Sequence, residues 1–167
     1  ADLVKDLPGD NEAKAETIDN NLQHEIVKKM SSNPVYYGKL SEMLKKIIMQ
    51  RKVAAMSYQE YLKQVVEMAE AILHPEDNGD YPDEVKNSAA RRALFDYFEE
   101  DLELTVDVDG AIRIAIRPAW KKNRQKQQKI RLAIYEKLLL HSYSKDKAEE
   151  ETNQVFDIAQ RQEEYDA

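Results

Sequence analysis

The sequence contains no cysteine, and only four of its 167 residues are glycine and five are proline. The absence of cysteine excludes a disulfide framework, a thiolate zinc site and a cysteine nucleophile. The shortage of glycine and proline argues against a β-sandwich, which needs many tight turns. No apolar run approaches the roughly 18 residues of a membrane span, and the first residues lack a signal-peptide pattern. We therefore expect a chain with no membrane partner, located in the cytoplasm.

Hydrophobic residues make up 42% of the chain and charged residues 34%, with a net charge of -7. This composition is polar for a globular domain but not typical of disorder, and its helix-forming residues favour helices. The sequence therefore predicts a mainly α fold of about six or seven helices. The chain lacks an initiator methionine, so we interpret residues 1–167 as a single domain fragment of a longer protein. Residues 75–87, rich in proline and acidic residues, form a candidate subdomain break.

Apolar spacing and capping residues place most of these helices. Ala15, Ile18, Leu22 and Ile26 fall on one stripe, which predicts a helix over 12–30. Capping patterns predict further helix starts near positions 33, 57 and 88. Two later helices are predicted over residues 124–141 and, roughly, 147–165.

Residues 102–116 carry a pattern that two structures could explain. Apolar residues alternate on both sides of Asp109-Gly110, a dipeptide that is typical of a tight hairpin turn. Taken alone, the alternation favours a β-hairpin over a helix.

The motifs that would support catalysis or metal binding are weak. No glycine precedes a Lys-Ser or Lys-Thr pair, so the phosphate-binding loop of a motor is missing. Residues 82–86 include the residue types of a Mg²⁺-dependent nuclease site, a Pro-Asp pair and a Glu-x-Lys motif. In such a site the two parts lie on separate strands, whereas five adjacent residues of a loop cannot converge on one ion in the same way. We assign no catalytic residue, no metal ligand and no cofactor to this chain.

A basic stretch is the strongest candidate for a binding surface. Residues 121–131 hold six basic residues and no acidic one, and two arginines extend the stretch upstream. These cations could neutralise DNA phosphates, dock on a protein partner, or pair with acidic segments of the chain itself. The candidate DNA or partner contacts are Arg113, Arg117, Lys121, Lys122, Arg124, Lys126, Lys129 and Arg131.

Trp120, the only tryptophan, lies immediately before this basic run. A tryptophan can anchor an interface because it buries a large area and keeps one polar group. A core tryptophan is at least as common. We treat Trp120 as a candidate docking anchor, with burial in the core as the alternative.

Several segments, taken in order, resemble the C-terminal helical region of the motor and nuclease (R) subunit of type I restriction enzymes. Together they cover nearly the whole chain, and their order carries the resemblance more than any one of them. They are residues 12–21, 33–44, 57–62, 88–97, 117–120 and 155–165.

The resemblance implies that residues 102–117 form a helix, and we predict a helix there with a short β-hairpin around Asp109-Gly110 as the alternative. It also implies a parent enzyme that is an ATP- and Mg²⁺-dependent deoxyribonuclease, whose catalytic residues lie outside this fragment. The implied function is non-catalytic: docking of the translocase to the methyltransferase and specificity subunits. The alternative is a helical module that contacts the DNA backbone through the basic stretch from Arg113 to Arg131.

Overall fold

The computed structural model describes residues 10–167, and the start of the predicted domain, residues 1–9, lies outside the described residues. Within this range the chain forms nine α-helices and three short 3-10 turns, with no β-strand. The prediction of a mainly helical fold is therefore confirmed. Seven of the helices have nine or more residues, and two are single turns. They are α1 (Asn11–Lys29), α2 (Pro34–Lys52), α3 (Tyr58–Leu73), α4 (Pro75–Asn78), α5 (Asp83–Lys86), α6 (Ala89–Tyr97), α7 (Leu102–Ala115), α8 (Arg124–Leu140) and α9 (Lys145–Gln160).

The chain divides into two compact units, the first ending at Asp80 and the second beginning at Tyr81. This division lies within residues 75–87, where the sequence analysis placed a candidate subdomain break. None of the helices in residues 10–167 is long and apolar enough to cross a membrane.

The first unit is built on α1, α2 and α3, and its helix starts follow the predicted capping residues. The side chain of Asn33 accepts a hydrogen bond from the Tyr36 amide, with a proline at the first position of α2. Ser57 accepts from the Glu60 amide at the start of α3. The apolar stripes of the three helices meet in one core that includes Ile18, Leu22, Ile26, Leu40, Leu44, Val65 and Ile72.

The second unit packs α6, α7, α8 and α9 around a separate core. Ser88 caps α6, Asp101 caps α7, Asn123 caps α8 and Ser144 caps α9, each by accepting a backbone N–H. The last predicted helix ends earlier than expected, and a 3-10 turn at Glu163–Tyr165 follows it. The core includes Leu94, Leu104, Val108, Ile112, Ile130, Ile134, Leu138, Val155 and Phe156.

Residues 102–115 form helix α7, so the hairpin alternative is wrong. Leu104, Val108 and Ile112 are at most 1% exposed, whereas Ile114 is 78% exposed. In a strand Ile112 and Ile114 would lie on the same face, but a helix buries the three residues that are spaced by four and leaves Ile114 outside. Gly110 lies inside the helix rather than in a turn, which costs about 1 kcal/mol relative to alanine.

Candidate binding surface on the second unit

The basic stretch runs from the end of α7, through a short loop, onto α8. Pro118 follows the end of α7, and Ala119 adopts a left-handed conformation with φ of 59°. A 3-10 turn at Trp120–Lys122 and the Asn123 cap then start α8 in a new direction. The predicted contact residues are therefore divided between three local structures rather than presented by one helix.

Trp120 is a core residue of the second unit, being 1% exposed. Its indole Nε1 donates a hydrogen bond of 2.6 Å to the carbonyl oxygen of Tyr165. Its ring meets that of Phe156 edge-on, with a centroid separation of 6.0 Å. This burial favours the core alternative over the docking anchor, because the ring and its one polar group are both used inside the fold.

Arg113 is 40% exposed, but its guanidinium group is paired with two carboxylates of the chain. Its Nε donates to Asp109 Oδ1 at 2.9 Å, and its Nη2 donates to Glu164 at 2.9 Å. Burial alone would lower the pKa of Arg113, but the two carboxylates outweigh burial and raise that pKa above its ordinary value. Arg113 is therefore a poor candidate for a DNA or partner contact.

Three more of the predicted cations are held by the chain itself. Arg117 donates to the carbonyl oxygens of Ile114 and Ile116, at 2.8 and 2.7 Å. Lys121 donates to the Gln162 carbonyl at 2.9 Å and forms an ion pair with Asp166. The ammonium group of Lys126 donates to the carbonyl oxygen of Pro118 at 2.5 Å.

The remaining four predicted contact residues are more available to bind a partner. Lys122, Arg124 and Lys129 are exposed and make no side-chain hydrogen bond or ion pair within residues 10–167. Arg131 donates to Asn153 Oδ1 at 2.6 Å and stacks on Phe156, with its guanidinium carbon 4.0 Å from the ring centroid. Arg131 thus has an aromatic ring and an uncharged acceptor as partners, and no carboxylate among residues 10–167 pairs with it.

Some of these cations line a groove between α8 and α9. Its basic end is a depression of about 630 Å³ and its more apolar end one of about 400 Å³, and the two ends share Gln128, Arg131 and Asn153. Lys129 lies on the same helix but does not line the groove. The other lining residues are Lys121, Lys122, Arg124 and Gln127 at the basic end, and Leu132, Tyr135, Glu149 and Thr152 at the apolar end.

A buried polar cluster inside the second unit was missed in the sequence. Asp109 is 0% exposed and accepts hydrogen bonds from Arg91, Arg113 and Tyr165, the last at 2.6 Å. Burial alone would raise the pKa of Asp109, but these donors outweigh burial and hold its pKa below the ordinary value. The spacing of Asp109 and Arg113, four residues apart on one helix, was the only local signal.

The first unit contains a cluster of the same three residue types. The Asp19 carboxylate accepts from the Tyr61 hydroxyl at 2.5 Å and from Arg51 at 2.6 Å. In each unit the arginine also pairs with a glutamate that is more exposed than the aspartate: Arg51 with Glu12, and Arg113 with Glu164. Each guanidinium carbon lies 5.2 Å from the centroid of the tyrosine ring of its own cluster. Both clusters pair their charges internally, although the buried Nε of Arg51 has no hydrogen-bond partner within the described residues, and we interpret both as structural.

Only one set of three potential metal ligands comes together within residues 10–167. His74, Glu76 and Asp77 lie on the surface of the first unit, at the end of α3 and in α4. Proximity of exposed acidic groups is common without a metal, so we assign no metal site to them. Residues 83–86 form a single helical turn rather than the strands of a nuclease site.

The chain matches no protein-family model, no curated protein and no solved structure.

Proposed function

We propose that this chain is a non-catalytic docking domain of the R subunit of a type I restriction enzyme. In this proposal it holds the translocase and nuclease subunit to the methyltransferase and specificity subunits in the cytoplasm. ATP and Mg²⁺ would serve the parent enzyme elsewhere. The ordered sequence segments suggest the family, and the groove between α8 and α9 is the observation that supports docking.

The groove supports docking because two of its cations are not neutralised by acidic groups of the described residues. Lys122 and Arg124 have no acidic partner in the described residues, although the chain carries more acidic than basic residues. Unpaired surface cations that line a depression favour an anionic partner, because complementary charge speeds and orients association.

The test of this function is recovery of the R subunit on the methyltransferase–specificity core. The full-length subunit should be retained in a pull-down, and the same subunit without residues 1–167 should be lost. Equal recovery of both proteins would refute the docking function. An R subunit that keeps its ATPase activity after the deletion provides the control for folding.

Contact with the DNA backbone is the second candidate function. The observation that favours it is a set of three exposed cations, Lys122 in the 3-10 turn before α8 and Arg124 and Lys129 on α8. The net charge of -7 and the pairing of Arg113 with Asp109 and Glu164 weaken it. If DNA binds here, affinity for a labelled duplex should fall steeply with salt, and Lys129→Glu should weaken it as much as Arg124→Glu.

A further inference from the structure

The two ends of the groove between α8 and α9 differ in chemistry. Lys122 and Arg124 supply positive charge at one end, and no acidic group in the described part of the chain pairs with them. Leu132 is 55% exposed and lines the other end beside the half-buried ring of Tyr135. An occupant that matches both ends must be anionic along one part of its length and apolar along the next.

Thr152 is a buried residue beneath the apolar end of the groove. It lines the apolar end of the groove, is 6% exposed, and its Oγ1 makes no hydrogen bond within the described residues. A buried hydroxyl without a partner lowers stability, and a valine would fill the same volume without that cost. Because the Oγ1 atom is itself buried, Thr152 belongs to the floor beneath the segment and supplies no contact of its own.

We propose that this groove binds a short extended segment of a protein partner, acidic at one end and apolar at the other. Arg124 and Tyr135 lie about 16 Å apart along α8, at about 1.5 Å per residue. An extended segment of about five residues spans that distance. Its carboxylates lie against Lys122, Arg124 and Arg131, and its apolar side chain lies against Leu132 and Tyr135.

An extended segment fits the amide groups of the groove better than a helix does. Gln128 makes no side-chain hydrogen bond within residues 10–167, and Asn153 uses only its oxygen, as the acceptor for Arg131. Extended backbone offers unpaired N–H and C=O groups to such amides, whereas a helix has already paired its own.

The same groove is poorly matched to a nucleic acid backbone. Glu149 lines the apolar end, and Glu150 is exposed next to it on α9. A run of phosphates that followed the groove would leave the cations and meet these carboxylates. A segment whose charge is confined to one end avoids that repulsion.

The first test is fluorescence anisotropy with a labelled peptide of about ten residues, glutamates followed by leucines, titrated with the whole chain. We expect saturable binding that Arg124→Glu weakens about tenfold or more, because it reverses a charge inside the groove. Lys129→Glu makes the same charge change on the same helix outside the groove and should leave the affinity unchanged. Absence of saturable binding, or equal weakening by both variants, would overturn the proposal.

Two further probes narrow the outcome. A peptide with lysines in place of the glutamates should not bind, and binding equal to that of the acidic peptide would also overturn the proposal. The second probe is a labelled DNA duplex of about 20 base pairs. If the duplex binds, and if Arg124→Glu and Lys129→Glu weaken that binding equally, the surface is a nucleic acid surface instead.

Thr152→Val tests the floor of the groove. Because Oγ1 is buried and makes no hydrogen bond within the described residues, the substitution should leave the peptide affinity unchanged and the melting temperature unchanged or higher. A loss of affinity without a loss of stability would contradict the placement of Thr152 in the floor.

The identity of the partner rests on the proposed docking function. Failure of the docking function can be distinguished from failure of the proposal that the groove binds a peptide segment. If Arg124→Glu leaves core recovery intact while deletion of residues 1–167 abolishes it, the docking function stands and the groove proposal fails. If the deletion has no effect but the acidic peptide binds the chain, the groove stands and the partner lies outside the methyltransferase core.

Discussion

The hydroxyl group of Tyr165 donates a hydrogen bond of 2.6 Å to Oδ1 of Asp109, a carboxylate that is 0% exposed. This bond joins the 3-10 turn at the end of the second unit to the middle of α7. Neighbouring residues reinforce the connection, because Glu164 accepts from the Ala90 amide at the start of α6 and the Tyr165 carbonyl accepts from Trp120. The final turn is therefore a structural part of the second unit.

Removal of the Asp109 charge should destabilise the second unit strongly. Asp109→Ala leaves Arg91 and Arg113 without their buried partner, which typically costs about 3–5 kcal/mol. Urea unfolding followed by the fluorescence of Trp120 measures the loss, since this side chain is buried in the same core. Asp157→Ala removes an exposed acid from α9 and should change the free energy of unfolding by less than about 0.5 kcal/mol. Equal effects of the two substitutions would contradict the structural role of the cluster.

The free energy of unfolding of the second unit should decrease at acid pH. Burial acts to raise the pKa of Asp109, but its three donors hold that pKa below the ordinary value, and Glu164 is shifted in the same direction. Groups with lowered pKa stabilise the fold above their unfolded pKa, and this contribution is lost as pH falls through the folded value. We expect the free energy of unfolding to be level above about pH 5 and to fall below about pH 4.

The variant Asp109→Asn removes the main titrating group of this cluster. Its free energy of unfolding, measured in urea across the same pH range, should be lower at neutral pH and fall less on acidification. A fall as large as that of the unmodified chain would show that other carboxylates cause the acid sensitivity.

Arg51 should be more important for stability than a surface arginine. It bridges Asp19 and Glu12 at 2.6 Å each and lies over the Tyr61 ring. Arg51→Ala should cost about 3–5 kcal/mol, because the buried Asp19 loses its counter-ion. Hydrogen exchange of peptides from α1 and α3 in mild denaturant measures this loss, and Lys52→Ala is the exposed control on α2.

Arg51→Lys should rescue only part of the stability lost in Arg51→Ala. A single ammonium group cannot reproduce the two-pronged geometry by which the guanidinium contacts both carboxylates. Exchange protection equal to that of the unmodified chain would mean that charge alone, not the geometry of Arg51, stabilises the first unit.

Trp120→Phe should destabilise the second unit although it keeps an aromatic ring. The substitution removes the donor to the Tyr165 carbonyl, and a buried acceptor left unpaired costs about 1–3 kcal/mol. Thermal unfolding by circular dichroism measures the change. Unchanged stability with impaired partner binding would instead restore the interpretation of Trp120 as a docking anchor.

The sequence predicted most helices because local chemistry determines where they begin. Asn33, Ser57 and Ser88 each accept the backbone N–H that a helix start leaves unpaired, and all three were recognised from the sequence. The helix at 102–115 was harder to predict from periodicity. Leu104, Val108 and Ile112 are four residues apart, and a spacing of four satisfies both a two-residue and a helical repeat.

The site was predicted less well than the fold, because the sequence of the basic stretch does not indicate which groups each cation contacts. Arg113 and Lys121 lie in a basic run, yet their acidic partners come from positions 109, 164 and 166. Only the folded chain brings the final turn beside α7 and the loop before α8. The same contacts bury Trp120, which the sequence alone left as either an anchor or a core residue.

The most direct test of the central claim is a binding titration of this chain with the purified methyltransferase–specificity core. We predict saturable binding at physiological salt that Arg124→Glu weakens and Lys129→Glu does not, with no comparable binding to duplex DNA. The absence of binding to the core, or preferential binding to duplex DNA, would contradict the account.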